Sequence, residues 1–282
     1  MSLVGIYGDG SLNELEAMAS MMPHRGTKLT AWSPTDRVYL GELRHASCTR
    51  PIIEQLALDI DATIQLEISH DGSIPRALPP NHPNEFLSQL ESEGLENTLQ
   101  RLNSYFALAY WDEDKHRLVL ACDRMFYKGL YWINLGTRIA FASEYKAFLG
   151  LSDCTAKPNQ TAIQHYLRSK TAHKSLCMLE GVRSLGPSRL LEITPGKVDL
   201  RDYWSPRLAL VRRSLQENAD ILSEGLKKTV ASQSRAHNTI GFTLSGGIDS
   251  TVLLALAKKT RPEATICKRQ YLGVLPPLNV MG

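Results

Sequence analysis

The residues of this chain best suited to chemistry are Ser245-Gly246-Gly247-Ile248-Asp249-Ser250, with Thr251 directly after them. Two adjacent glycines let the backbone fold back tightly, with no side chain in the way of an anion. Successive amide N–H groups can then point into one concavity, and a helix starting behind them adds partial positive charge. The hydroxyls of Ser245, Ser250 and Thr251 supply further donors. Asp249 cannot bind a phosphate directly, so its natural role is through Mg²⁺, which takes carboxylate and phosphate oxygens together. Framed by Leu244 and Ile248, the stretch 244–251 has the chemistry of a pyrophosphate cradle. The bland alternative is a glycine turn between a buried strand and a buried helix.

The flanks decide between these readings. Ile240-Gly241-Phe242-Thr243-Leu244 is an apolar, strand-like run, and Thr251 to Lys259 is helix-like. A Walker-type loop would need a lysine inside the motif, and there is none. The stretch resembles instead the PP-loop of ATP pyrophosphatases, which split ATP into AMP and pyrophosphate while activating a substrate. That resemblance implies ATP and Mg²⁺ as cofactors, with residues Leu244 to Thr251 on the nucleotide and Asp249 on the metal.

A second block precedes it. Phe106-Ala107-Leu108-Ala109-Tyr110-Trp111-Asp112, Arg117-Leu118-Val119-Leu120-Ala121-Cys122-Asp123-Arg124, Lys128-Gly129-Leu130-Tyr131-Trp132 and Phe141-Ala142-Ser143-Glu144-Tyr145-Lys146-Ala147 follow in order. Short β-branched and aromatic runs separated by polar turns, here 112–116 and Asn134-Leu135-Gly136, predict an antiparallel sheet. The block resembles the end of the glutamine-amidotransferase domain of asparagine synthetases. Gly181 to Leu185, Leu191-Glu192-Ile193 and Tyr203-Trp204 resemble that family's inter-domain segment, and His24-Arg25-Gly26 its His-Arg-Gly. The resemblance covers nearly the whole chain. It implies an α+β, Ntn-hydrolase-like domain, two antiparallel sheets between helices, followed by an incomplete α/β PP-loop domain of the adenine-nucleotide α-hydrolase type. The divisions are 1–150 for the amidotransferase-like domain, 151–208 for a connecting segment, and 209–282 for the start of the synthetase domain.

Two departures from the family matter. Family glutaminase domains begin, after loss of Met, with Cys-Gly-Ile, and the amine of that Cys is its own base. Aligning Val4-Gly5-Ile6 places Met1 where the Cys stands and Ser2 one residue further on, which turns its side chain to the opposite face of a strand. Ser2 could serve as an N-terminal nucleophile only after removal of Met1. The family's Asn-Gly pair has Asp71-Gly72 as its nearest counterpart, after a strand over 62–69, and a carboxylate replaces an amide donor poorly. Glutamine hydrolysis is therefore expected to be lost.

The second departure is at the C-terminus. A βαβ unit takes about 30 residues or more, and only 32 follow Ser250. One helix and at most one strand, over 264–270, are expected before an extended tail at 275–279. The chain reads as a truncated synthetase whose other half would be a separately encoded partner.

Composition adds little that is specific. A net charge of +3 with scattered Lys and Arg gives no case for nucleic acid, and no apolar run has the length of a membrane span. Cytoplasmic placement is expected. Five cysteines without a Cys-x-x-Cys pair point to neither a zinc site nor a disulfide framework; Cys122 reads as a small core residue, and Cys48 as structural. Apolar positions predict helices over 85–102 and 214–234, the second with Leu215, Ala219, Leu222, Leu226 and Val230 packed against the synthetase sheet.

The resemblance implies an ATP-dependent amide-forming ligase, in which a carboxylate attacks the α-phosphate and an amine then displaces AMP. Relatives lacking the N-terminal Cys, the β-lactam synthetases and lasso-peptide cyclases, join an amine and a carboxylate of one substrate. A nucleotide-binding remnant without chemistry is the third reading.

Overall fold

The computed structural model describes residues 2–44, 56–60, 92–102, 105–171, 175–206, 208, 210–234, 239–262 and 265–270. For 56–60, 232–234, 239 and 265–270 only the backbone is described. Met1, Cys48, the strand expected over 62–69, Asp71-Gly72 and the tail at 275–279 lie outside these residues. The chain divides into two compact units at residues 207/208.

In the first unit, six strands pair in the order β2 (Lys28–Thr35), β3 (Val38–Arg44), β1 (Ser2–Gly8), β8 (Arg138–Ala142), β7 (Tyr131–Asn134) and β9 (Val182–Ser184). Five more pair in the order β11 (Lys197–Asp202), β10 (Arg189–Thr194), β6 (Arg117–Cys122), β5 (Phe106–Asp112) and β4 (Leu56–Ile60). Every ladder in both sheets is antiparallel. Strands β9, β10 and β11 all come from residues 182–202, so this stretch completes both sheets.

Strand alternation builds the layers. Along β5, Ala107, Ala109 and Trp111 face the interlayer with Leu3, Leu40 and Phe141 of the other sheet. Phe106 and Leu108 face outward, onto Leu95 and Leu99 of α2 (Leu95–Arg101). Along β1, Leu3 faces the interlayer while Val4 and Ile6 meet Leu15 and Met18 of α1 (Leu12–Ser20). The order is helix, sheet, sheet, helix, as expected. Both helices start for local reasons. Ser11 caps α1, its Oγ accepting from Glu14 N–H at 3.4 Å and donating to the Glu14 carboxylate at 3.1 Å. Gly94, at φ +81°, cannot continue a helix, so it interrupts the predicted 85–102 helix, parting the helical Ser92 and Glu93 from Leu95–Arg101.

A further helix in this unit, α3 (Gln160–Ser169), precedes β9. The second unit contains α4 (Leu215–Ser234), β12 (Thr239–Leu244), α5 (Ile248–Thr260) and β13 (Thr265–Gln270). Strands β12 and β13 pair in parallel, Thr239 opposite Thr265 through Leu244 opposite Gln270, with α5 as the crossover. The one helix and one strand expected after the loop are both present. Ser214 and Glu217 cap α4 reciprocally, with Glu217 N–H on Ser214 Oγ at 3.2 Å and Ser214 N–H on the Glu217 carboxylate at 2.7 Å. The apolar stripe of α4 departs from expectation: Val230 is buried, but Leu215 is 87% and Leu222 63% exposed. Only two strands are described in this unit, too narrow a sheet to cover a 20-residue helix.

Candidate functional site

The loop after β12 has the backbone its glycines predict. Gly246 sits at φ +83°, and a Cβ there would meet nothing within 4 Å, so conformation rather than space requires the glycine. Gly247 is the N-cap of α5, without a side-chain cap on the helix. The first-turn N–H groups of α5 are thereby left for an anion. Around them the hydroxyls are already gathered. Gly247 N–H donates to Ser245 Oγ at 3.3 Å, Ser245 and Ser250 Oγ lie 3.3 Å apart, and Ser250 and Thr251 donate to Gly247 O at 3.2 and 2.9 Å. Leu244 ends the strand half-buried, whereas Ser245, Gly246, Gly247, Ile248, Asp249 and Thr251 are exposed. Asp249 stands in the first turn of α5 and makes no ion pair among the described residues. One exposed carboxylate beside uncapped helix-start N–H groups is the kind of donor that Mg²⁺ takes together with phosphate oxygens. Among the described residues, no group of three or more His, Cys, Asp or Glu could hold a metal without such help.

In the first unit the structure joins motifs that lie far apart in sequence. His24 and Arg25, in the 3₁₀ turn Pro23–Arg25, reach Glu144; His24 Nε2 lies 2.8 Å from Oε1, and Arg25 Nε donates to the same oxygen. Lys146 Nζ stands 3.3 Å from the other carboxylate oxygen. Burial would raise the Glu144 pKa, but the hydrogen bonds from Arg25 and His24, with Lys146, outweigh it and hold it at about 2. Next door, Ser143 Oγ accepts Leu3 N–H at 2.8 Å, so this short stretch also fixes the start of β1.

Ser2 is fully buried in β1 and by alternation shares the face of Val4 and Ile6, away from the interlayer that Leu3 enters. Cys122 is buried in β6, and that burial pushes its thiol pKa well up, which fits the inert core role expected of it. Asp123, almost fully buried, accepts N–H from Met125, Tyr127 and Lys128 at 3.0, 3.1 and 2.9 Å; its role is to shape the turn after β6. A feature missed in the sequence is the buried pair Glu42 and Arg44, 2% and 5% exposed, joined from Arg44 Nε to Glu42 Oε2 at 2.7 Å. They occupy alternate positions of β3 after Val38 and Leu40, so the signal was a pair of charges on an inward face.

The family model described as "Glutamine amidotransferase domain" matches residues 84–204, and the one described as "Asparagine synthase" matches residues 222–272. A provisionally named asparagine synthetase (glutamine-hydrolyzing) of Mycobacterium tuberculosis is 32% identical over 172 residues, covering 58% of this chain and 26% of that one. Asparagine synthetase (glutamine-hydrolyzing) 3 of Bacillus subtilis is 26% identical over 168 residues, covering 58% of this chain and 27% of its own. Over most of its length the chain is thus similar to asparagine synthetases. Its glutamine-amidotransferase match contains Asp123 and Glu144, and its asparagine-synthase match contains the loop 245–251. The chain spans about a quarter of the length of these relatives. A solved structure titled glutamine phosphoribosylpyrophosphate amidotransferase from B. subtilis, complexed with ADP and GMP, aligns over 99% of this chain and 69% of its own. The TM-score is 0.43 and the identity 12%.

Proposed function

We propose that this asparagine-synthetase relative binds ATP·Mg²⁺ at residues 244–251, as part of an ATP-dependent amide-forming ligase. The observation that carries the reading is the left-handed Gly246 at a strand-to-helix junction, with three hydroxyls gathered at the uncapped start of α5. Loop N–H groups and the hydroxyls of Ser245, Ser250 and Thr251 would receive the pyrophosphate oxygens, and Asp249 would hold the metal. Mg²⁺, when bound, neutralises charge on the departing pyrophosphate. The first-turn N–H groups of α5, fixed by the fold, meet the same charge with little reorganisation, which is how preorganised dipoles favour a transition state. The hydroxyls would turn from Gly247 O to the phosphate. Adenylation of a carboxylate, followed by attack of an amine, completes the reaction class.

The remaining synthetase portion present in the longer relatives would supply the acid and amine pockets, and the exposed Leu215 and Leu222 of α4 offer it a seat. Such a ligase would work in the cytoplasm, where ATP is supplied. A second reading, an intramolecular amide ligase that uses no glutamine, is favoured by the burial of Ser2 in β1.

Calorimetric titration of the 282-residue chain with ATP·Mg²⁺, alongside Asp249→Ala, tests the shared core of both readings. Binding that the substitution abolishes supports it. No binding by the folded chain makes the loop a remnant without chemistry.

A further inference from the structure

We infer that the open end of the layer between the two sheets of the first unit is a binding site for a small molecule carrying a carboxylate or phosphate group. Three turns converge there: β2–β3 and β7–β8 of one sheet, β10–β11 of the other. They enclose a cleft of about 360 Å³, within the range of small-molecule sites. It lies at the Tyr7 end of β1, the opposite end of that strand from Ser2 and Ser143, and none of its lining residues belongs to the 244–251 loop.

The floor is apolar and continuous with the core. Ile193 belongs to the interlayer cluster, as does Ile139, and Tyr7 packs against it. The rim is cationic. Among the described residues that line the cleft there are three basic side chains and no carboxylate. One of the three, Arg138, adds no free positive charge, because two carboxylates already hold it. Its guanidinium meets Asp153 at 2.5 and 2.9 Å, Glu14 at 2.5 Å and the Asp9 carbonyl at 3.2 Å. Arg138 therefore braces the wall.

Arg37 and Lys197 remain, one contributed by each sheet, both exposed and without an ion pair among the described residues. The charge of Arg37 reaches the floor, since it lowers the Tyr7 phenol pKa against the larger, raising effect of burial. Tyr7 is held in place from the core side by Trp111, with ring centroids 6.5 Å apart. Two cations from turns of the two sheets, over an apolar floor, suit an anionic group on a compact body.

The test is calorimetric titration of the full chain at low ionic strength with inorganic phosphate and, separately, with succinate. At least one anion is expected to bind at about millimolar concentration or tighter, and Arg37→Ala and Lys197→Ala should each weaken it by about tenfold. Which of the two binds tells whether phosphate or carboxylate is preferred. Both substitutions lie at exposed turn positions and should leave the fold intact, which circular dichroism checks. Failure of both anions to bind, or binding that neither substitution weakens, overturns the inference. Binding lost in Asp249→Ala but kept in the Arg37 and Lys197 variants would assign the anion to the nucleotide loop and overturn it equally.

Discussion

Glu144 takes hydrogen bonds from His24 and Arg25, residues 120 and 119 positions earlier in the chain. This one carboxylate ties the 3₁₀ turn after α1 to the segment after β8, while Ser143 beside it holds β1. Two motifs that resemble the family separately are thus one structural unit.

The Glu144 carboxyl, held at about 2 against an ordinary 4.5, makes stability depend on pH. A depressed folded-state pKa stabilises the native protein above the unfolded value, and the contribution is lost as pH falls from about 4.5 through about 2. Because its partners are roughly half exposed, solvent screening leaves a contribution of about 1–2 kcal/mol. Urea unfolding should show Glu144→Gln less stable than the native chain by that amount at pH 7. The gap should narrow steadily below pH 4.5; a gap independent of pH would refute this account.

Glu42 and Arg44 pose the opposite case, a charge pair inside the interlayer. Removing one partner of a buried pair takes away the other's main counter-charge, at a cost of about 3–5 kcal/mol. Arg44→Met is therefore expected to be strongly destabilising. Replacing both together, Glu42→Leu with Arg44→Met, should recover most of the loss, since apolar groups of similar volume suit that layer. A double variant as unstable as the single one would show that the pair makes further bonds the interlayer cannot do without.

How far the sequence could be read follows from the range of the forces involved. Strand β5 was legible because Phe106-Ala107-Leu108-Ala109 is apolar on both faces, as a strand covered on both sides must be, and Asn134 to Gly136 announced its turn chemically. Asn134 Oδ1 indeed accepts Gly136 N–H at 2.9 Å, with Gly136 at φ +90°. The glycine turn between β12 and α5 was legible for the same local reason. Helix α4 shows where local pattern stops: the spacing of Leu215 and Leu222 defines a face, but only the neighbouring elements decide what covers it. Glu42 and Arg44 look like the polar end of a strand, and nothing short of the register Leu3 opposite Glu42 reveals that they run under a second sheet. The link from His24 to Glu144 is likewise tertiary, and neither local window contains it.

Gly5, in the Val4-Gly5-Ile6 run that aligned the N-terminus, has a physical explanation independent of family. It pairs directly with Phe141 across β1 and β8, and the Phe141 ring lies over it. A Cβ built on Gly5 would fall 2.0 Å from Phe141 Cζ and within 2.7 Å of two further ring atoms. Backbone conformation is not the reason, since Gly5 is ordinary strand; the space is. Phe141 is fully buried in the interlayer beside Leu3 and Leu40, so its ring has nowhere to retreat without displacing those neighbours. Overpacking of a dense core typically costs about 1–3 kcal/mol, and Gly5→Ala is expected at the upper end of that range. Truncating the ring as well should relieve the clash, so Gly5→Ala with Phe141→Leu should be less destabilised than the two single effects added together. A thermal-melt double-mutant cycle reads this coupling. Strict additivity would mean that the ring does not lie over Gly5 in solution.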